Sequence, residues 1–164
     1  MRPTIAAISF FVMAAVHPCR LPAQAPDTLT ERDLQVAGLS AQPDTSVVRR
    51  VLGKPQHTWA AQEPNEDGVR LARWMYQGLV LSFDERGAFY TADVNAPGYP
   101  TTRGVRVGDA LARVRQTYGQ PAFEDSDHLL YARSNSEVET QGLAFFFDNG
   151  ILRRIMIGTV VSVN

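Results

Sequence analysis

The stretch QGLAFFFD, at residues 141–148, decides how this sequence folds, because QGLVLSFD at residues 77–84 matches it at five of eight positions. In both stretches, large apolar residues occupy every second position, which is the pattern of a β-strand with one buried face. Asn149 and Gly150 follow the later stretch and form a strong hairpin signal. We therefore predict strands at residues 79–83, 88–94, 143–147 and 151–157, with further strands at 69–76 and 129–133.

Each of these stretches is preceded by a segment with the signature of a short helix. Residues 38–55 and 104–121 align without a gap and share Gly, Val, Arg, Gly and Pro at the same relative positions. Gly53 and Gly119 would end the two helices, because glycine readily takes the left-handed conformation that follows a helix. Asp109 is the expected N-cap of the second helix. The order of helix and strands is therefore expected to occur twice.

Two such units fill nearly all of the chain after its first segment. The 164 residues are 45% hydrophobic and 20% charged, which is the composition of one ordinary globular domain. We predict an α+β fold of two tandem repeats, each a short helical segment packed on an antiparallel β-sheet. Neither repeat could bury a sufficient core alone. The predicted single domain covers residues 24–164, with repeats at about 29–95 and 101–164 and a linker rich in Pro and Gly at 95–102.

The N-terminal segment has the layout of a secretory signal peptide. Arg2 is followed by a nearly apolar run at residues 5–16, which is shorter than the roughly 20 residues that a membrane-spanning helix needs. We predict a signal peptide at 1–23, cleaved after Ala23, and hence an exported protein, periplasmic or extracellular in a bacterium. Cys19 is a poor lipid-attachment site, because the residues before it are not small. The alternative to a signal peptide is that this segment forms a buried N-terminal helix.

The remaining composition argues against several classes of function. The net charge of −1 is no electrostatic footprint for nucleic acid. The sequence has no Gly-x-Ser-x-Gly nucleophile motif, no phosphate loop and no dinucleotide-binding fingerprint. The densest ligand-like cluster is the stretch from Asp125 to His128, which lacks the glycine and the distal glutamate of a calcium loop. We interpret it as a solvated acidic loop and predict no catalytic residue, metal or cofactor.

The repeated unit resembles the BLIP-like superfamily. That group includes the β-lactamase inhibitory protein and the SmpA/OmlA lipoproteins of the outer-membrane assembly machinery. The resemblance covers nearly all of the predicted mature chain, and two units in one chain are closer to the inhibitor's layout. It implies helices on one face of an antiparallel sheet and exposed surfaces that bind proteins, but no inhibitory residue can be assigned here. In the second unit the pattern is carried by Gly104, Asp109, Val114, Gly119 and Pro121, followed by the strand at 141–148.

Strand parity predicts an apolar patch on the sheet face that the helices leave open. If Leu79 and Leu143 face the helices, every second residue of the same and the returning strands faces away from them. Aromatic residues, Met and Arg are enriched at the centres of protein interfaces. The alternative is that the N-terminal segment, the linker or the C-terminal tail covers the patch. The candidate partner-binding residues are Phe89, Phe146, Leu152, Arg154 and Met156.

These observations lead to one functional hypothesis and two alternatives. We expect an exported, non-enzymatic protein-binding module that uses the open sheet face and has no transmembrane segment in its mature form. The first alternative is a cell-envelope or outer-membrane assembly or scaffold factor, with a lipid anchor if Cys19 is modified. The second is a small-ligand carrier or enzyme, whose only candidate site would be the acidic loop beside His128.

Overall fold

A computed structural model describes residues 28–61, 64, 68–133 and 140–160, with the side chain of residue 140 excepted. Within these ranges the chain forms a short 3₁₀ helix, two α-helices and eight β-strands. The 3₁₀ helix covers Glu31–Leu34, α1 covers Thr45–Leu52 and α2 covers Leu111–Tyr118. The strands are β1 (His57–Trp59), β2 (Ala72–Tyr76), β3 (Leu79–Phe83), β4 (Phe89–Val94), β5 (Phe123–Glu124), β6 (His128–Ala132), β7 (Thr140–Asp148) and β8 (Ile151–Val160).

All eight strands belong to one antiparallel sheet. Their order is β1-β2-β3-β4-β8-β7-β6-β5, so that the first four strands and the last four meet where β4 pairs with β8. The prediction of an α+β fold of two tandem helix-on-sheet repeats was wrong. The structure is closer to all-β, because each α-helix has only eight residues and backbone pairing of Thr91–Val94 with residues 155–158 makes one continuous sheet.

The two helices begin differently although both end at glycine. Asp44 caps α1, because its Oδ1 accepts hydrogen bonds from the backbone N–H groups of Ser46 and Val47 at 2.8 and 3.0 Å. The expected N-cap of α2 was wrong: Ala110 occupies that position, and the Asp109 carboxylate accepts from the backbone N–H of Arg106 at 2.9 Å. Asp109 therefore stabilises the turn before the helix and does not cap it.

The helices cover one face of the sheet and form the main core with it. Val48 of α1 and Val114 and Tyr118 of α2 are fully buried against apolar side chains of β3, β4, β7 and β8. Leu34 of the 3₁₀ helix belongs to the same cluster. Burial of these side chains is the main source of stability, at roughly 25 cal/mol for each Å² of apolar surface removed from water. This face is called the helix face, and the other the open face.

Two β-bulges reverse the alternation of side chains that the sequence predicted. The register shifts between Ser82 and Phe83 in the β3–β4 pair, and between Phe146 and Phe147 in the β7–β8 pair. In the second pair, Phe146 lies opposite Arg154 but Phe147 lies opposite Leu152, so that one residue of β8 is left without a partner. Phe89 and Leu152, which lie between the hairpin turn and the bulge, therefore point to the opposite face from the one that simple parity assigns.

The predicted signal peptide and Cys19 lie outside the described residues, as does the tail after residue 160. In the described part of the chain, no helix has the length and hydrophobicity needed to cross a membrane. The segment predicted as a linker is partly built into the fold, because Thr101 is buried and its backbone N–H donates to the carbonyl of Val105 at 2.7 Å. Val105 itself belongs to the main core.

Candidate functional site

A groove with a volume of about 720 Å³ crosses the open face of the sheet. Its walls and floor come from six neighbouring strands, β2, β3, β4, β8, β7 and β6, so that it lies across the strands. At the usual spacing between strands, six strands span about 24 Å. The groove is therefore long and open, unlike a compact pocket that encloses a small ligand. The apolar residues that line it include Val80, Leu130, Ala144, Phe146, Met156 and Val160.

A second apolar cluster forms the floor of this groove. Leu130, Ala144 and Val160 are buried there and are separate from the main core. Phe146 and Met156 pack against them and remain partly exposed. The described helices contribute their buried side chains to the main core and none to this cluster. The open face thus carries apolar surface that the described part of the chain does not cover with a helix.

Aromatic and cationic side chains form a ladder over the groove, with one member from each of four adjacent strands. The guanidinium carbon of Arg154 lies 3.9 Å from the centre of the Phe146 ring, which is the geometry of a cation–π contact. The ring of His128, on the neighbouring strand, stacks against that of Phe146. The ring centres lie 5.6 Å apart and the ring planes are inclined by only 22°. Phe123 of β5 lies 5.3 Å from His128. The cross-strand register explains the ladder, because His128 pairs with Phe146 and Phe146 with Arg154.

Asp93 places a poorly solvated carboxylate in the floor of the groove. Its Oδ1 is buried and has no hydrogen-bond donor among the described residues, and it lies 3.7 Å from a terminal nitrogen of Arg154. Burial raises the pKa of Asp93, and the positive charges of Arg154 and Arg73 oppose that rise. An unsatisfied buried acceptor costs free energy, about 1–3 kcal/mol in typical cases. The groove therefore combines a carboxylate that lacks a hydrogen-bond donor with a guanidinium stacked on an aromatic ring.

The structure brings together three of the five residues that the sequence proposed for this surface. Phe146, Arg154 and Met156 all line the groove. The other two were placed on the wrong face. Leu152 is 0% exposed in the main core, and Phe89 packs against the same core, with its ring 6.2 Å from that of Phe83. The physical reason is the bulge in each hairpin, which shifts the returning strand by one residue.

Sequence reasoning missed other members of this surface. The proposed set lacked Leu130 and His128, which β6 contributes, and Val160 at the end of β8. The signal for β6 was present, because Leu129 and Tyr131 face the main core and their neighbours must then face the groove. The parity rule also places Asp93 on the open face, but its unpaired oxygen is a property of the tertiary structure.

The acidic loop beside the groove brings three possible metal-ligand side chains together. Donor atoms of Asp125, Asp127 and His128 lie within 4.8 Å of one another. The Nδ1 of His128 contacts Oδ1 of Asp125 at 3.1 Å and Oδ1 of Asp127 at 3.2 Å. The backbone N–H of Asp127 and the nearby His128 hold the pKa of Asp125 below its ordinary value. These contacts within the loop account for the arrangement, and its interpretation as a solvated acidic turn stays a prediction.

Comparison of the chain with known protein families, with characterised proteins and with solved structures finds no match.

Proposed function

We propose that this protein is an exported, non-enzymatic binding module that holds a protein partner on the open face of its sheet. The observation that carries the proposal is the groove, which joins an apolar floor to a stacked aromatic and arginine side chain at its centre. Phe and Arg are enriched at protein interfaces, and Arg is among the residues that dominate their binding energy. The partly exposed side chains of Val80, Phe146 and Met156 would supply apolar contact area beside Arg154.

The geometry favours a protein partner over a small substrate. The groove crosses six strands and opens to solvent along its length, whereas small-molecule sites enclose most of their ligand. Its charged side chains, among them Arg73, Asp93 and Arg154, come from different strands. An acid, a base and a nucleophile around one point would instead favour an enzyme. The resemblance to BLIP-like proteins is consistent with the proposal, and it remains a resemblance in sequence pattern.

The export part of the proposal rests on the predicted signal peptide alone. Fusion of residues 1–27 to a reporter that is active only outside the cytoplasm would test it. Reporter activity, together with a mature protein that begins after residue 23, is the expected result. A mature protein that begins at Cys19 and carries lipid would favour the envelope scaffold alternative.

Binding through the open face is tested with two matched substitutions. Phe146→Asp places a charge in the groove, and Val51→Asp makes the same kind of change at an exposed position on α1, on the helix side of the sheet. Both variants are first checked for folding by circular dichroism. A partner captured from envelope extract is then purified, and its affinity for each form is measured. We expect the affinity to fall at least about tenfold for Phe146→Asp and to be unchanged for Val51→Asp.

Hydrogen exchange in the purified complex provides the second readout. Protection is expected in β6, β7 and β8, whose side chains line the groove. A partner that binds folded Phe146→Asp as tightly as the wild type, with protection confined to α1 or α2, would refute binding through the open face.

A further inference from the structure

Arg154 is held in position by an aromatic ring while its hydrogen-bond donors stay available. Its guanidinium stacks on Phe146 at 3.9 Å, and the side chain is 45% exposed in the groove. Stacking uses the face of the guanidinium and leaves its edge, which carries the N–H donors, free to pair with an oxygen acid. The one carboxylate near it among the described residues is Asp93, at 3.7 Å, which is too long for a hydrogen bond.

The charged side chains that line the middle of the groove are mostly positive. Arg73 of β2 and Arg154 of β8 both line it, and among the described residues that line it the one carboxylate is that of Asp93, whose side chain is only 28% exposed. The carboxylates of Asp125 and Asp127 lie beyond the groove at the β5–β6 turn, where both contact His128. The central groove is thus locally cationic within a chain whose net charge is −1.

We infer that the groove binds a protein segment in which an acidic side chain, Asp or Glu, is flanked by apolar residues, and that Arg154 pairs with its carboxylate. This inference rests on the proposed function. Charge complementarity selects the acid, because the edge of a planar guanidinium matches a carboxylate in two parallel hydrogen bonds. The apolar floor beneath Phe146 and Met156 selects the flanking residues and lowers the local dielectric, which strengthens the ion pair.

The length of the groove favours an extended peptide segment over a small amphipathic acid as its occupant. A span of about 24 Å accommodates about seven residues of extended chain. Arg154 lies on the fourth of the six strands, with Phe146 and His128 on one side of it and Val80 and Arg73 on the other. The acidic residue would thus lie near the middle of the segment.

The test uses a phage library of short random peptides selected on the wild-type protein. Peptides that bind Phe146→Asp equally well are removed by counter-selection. An enriched peptide is synthesised in two forms, with its acidic residue and with the corresponding amide, and both are titrated calorimetrically against three proteins. These are the wild type, Arg154→Gln and the control Arg113→Gln, which alters an exposed arginine on α2.

The expected result is enrichment of peptides with an acid between apolar residues. Their affinity should fall at least about tenfold with Arg154→Gln and about as much when the acid becomes an amide, as for a desolvated charge pair. The two changes together should cost little more than either alone, and Arg113→Gln should have no effect. Enriched peptides that lack an acid, or whose affinity is unchanged by Arg154→Gln, would overturn the inference.

Two further outcomes separate this inference from the proposed function. Loss of the natural partner with Phe146→Asp but not with Arg154→Gln would leave the binding face in place and refute the acidic contact. No loss with either variant would refute both. Binding of laurate, a carboxylate on an alkyl chain, that depends on Arg154 when no acidic peptide binds would also overturn the inference, because the occupant would then be a small amphipathic acid.

Discussion

The hydroxyl of Tyr131 donates a hydrogen bond to the carbonyl oxygen of Gly119, at 3.1 Å. This contact ties the end of α2 to β6. The equivalent contact in the first half of the chain joins the Tyr76 hydroxyl to the Gly53 carbonyl at 3.3 Å and ties the end of α1 to β2. The residue that ends each helix is therefore also the point at which that helix is attached to the second strand of its half.

Removal of the Tyr131 hydroxyl should destabilise the protein. Tyr131 is buried, so that Tyr131→Phe deprives the Gly119 carbonyl of a donor in a place with little access to water. We expect a loss of about 1 kcal/mol in the free energy of unfolding, measured by urea denaturation. Tyr76→Phe should cost less, because its hydrogen bond is longer. Equal stability of Tyr131→Phe and the wild type would show that this hydrogen bond contributes nothing.

The ion pair between Asp33 and Arg103 should make stability sensitive to acid. Arg103 Nε and Nη2 donate to the two carboxylate oxygens of Asp33 at 2.7 and 2.9 Å. Burial raises the pKa of Asp33, but the hydrogen bonds from Arg103 and Thr30 outweigh it and lower the pKa to about 2. A lowered pKa in the folded state means that the stabilisation is complete above the ordinary value of 3.8 and is lost as the pH falls towards 2.

Asp33→Asn should remove this acid dependence. The expected effect is a loss of the order of 2 kcal/mol at pH 7 and a smaller difference from the wild type at pH 2, both measured by urea denaturation at several pH values. A difference that stays constant over this range would show that the ion pair is not the cause.

Asp93 should act on stability in the opposite direction. Because burial raises its pKa, the folded state binds the proton more tightly than the unfolded state. The wild type should therefore lose stability as the pH rises from the ordinary Asp value through the raised one. Asp93→Asn should abolish that part of the pH dependence of the free energy of unfolding, measured by urea denaturation at several pH values. The variant should be at least as stable as the wild type at pH 7. Asp148→Asn, at an exposed site, is the control and should follow the wild type.

The two faces of β8 should respond differently to truncation. Leu152 is fully buried in the main core, whereas Met156 is partly exposed in the groove. Leu152→Ala should cost about 2–5 kcal/mol, as cavities in a packed core do, and Met156→Ala distinctly less. Unfolding by urea, followed by tryptophan fluorescence, measures both. Equally small costs for the two truncations would instead fit the simple parity that placed both residues on the open face.

Gly158 should tolerate no side chain. Its φ is +122°, and a Cβ built there would lie 2.4 Å from the carbonyl oxygen of Tyr90 on the neighbouring strand. Gly158→Ala must strain its own backbone and separate β4 from β8, at a cost of the order of 3 kcal/mol or more. Gly98→Ala is the matched control, because a Cβ there meets nothing within 4 Å. A Gly158→Ala variant as stable as Gly98→Ala would exclude this close approach of the strands.

The sequence predicted local structure well where a single periodicity or a strong stop signal was present. Both α-helices and six of the strands are confirmed, because glycine endings and alternating apolar residues act over a few neighbouring positions. The short edge strands β1 and β5 were missed. With three and two residues, and exposed side chains, they show no alternation that a sequence pattern could reveal.

The candidate site could be predicted only in part. Parity correctly placed Phe146, Arg154 and Met156 on the open face, since no bulge separates them from one another in their hairpin. It misplaced Phe89 and Leu152, because each lies between the hairpin turn and the bulge, and the extra residue of the bulge reverses its face relative to the rest of the strand. No local pattern in the sequence marks where a strand accepts such an extra residue.

The sequence by itself determined the two α-helices, six of the eight strands and part of the set of side chains available for a binding surface. Only the tertiary structure decided that β4 pairs with β8 to make one sheet, that two bulges re-aim the strands, and that Arg154 stacks on Phe146 beside Asp93. The physical reason is the distance along the chain over which each kind of interaction acts. Helix ends and strand alternation depend on neighbours in the chain, whereas strand pairing and the contacts of a groove depend on residues that folding alone brings together.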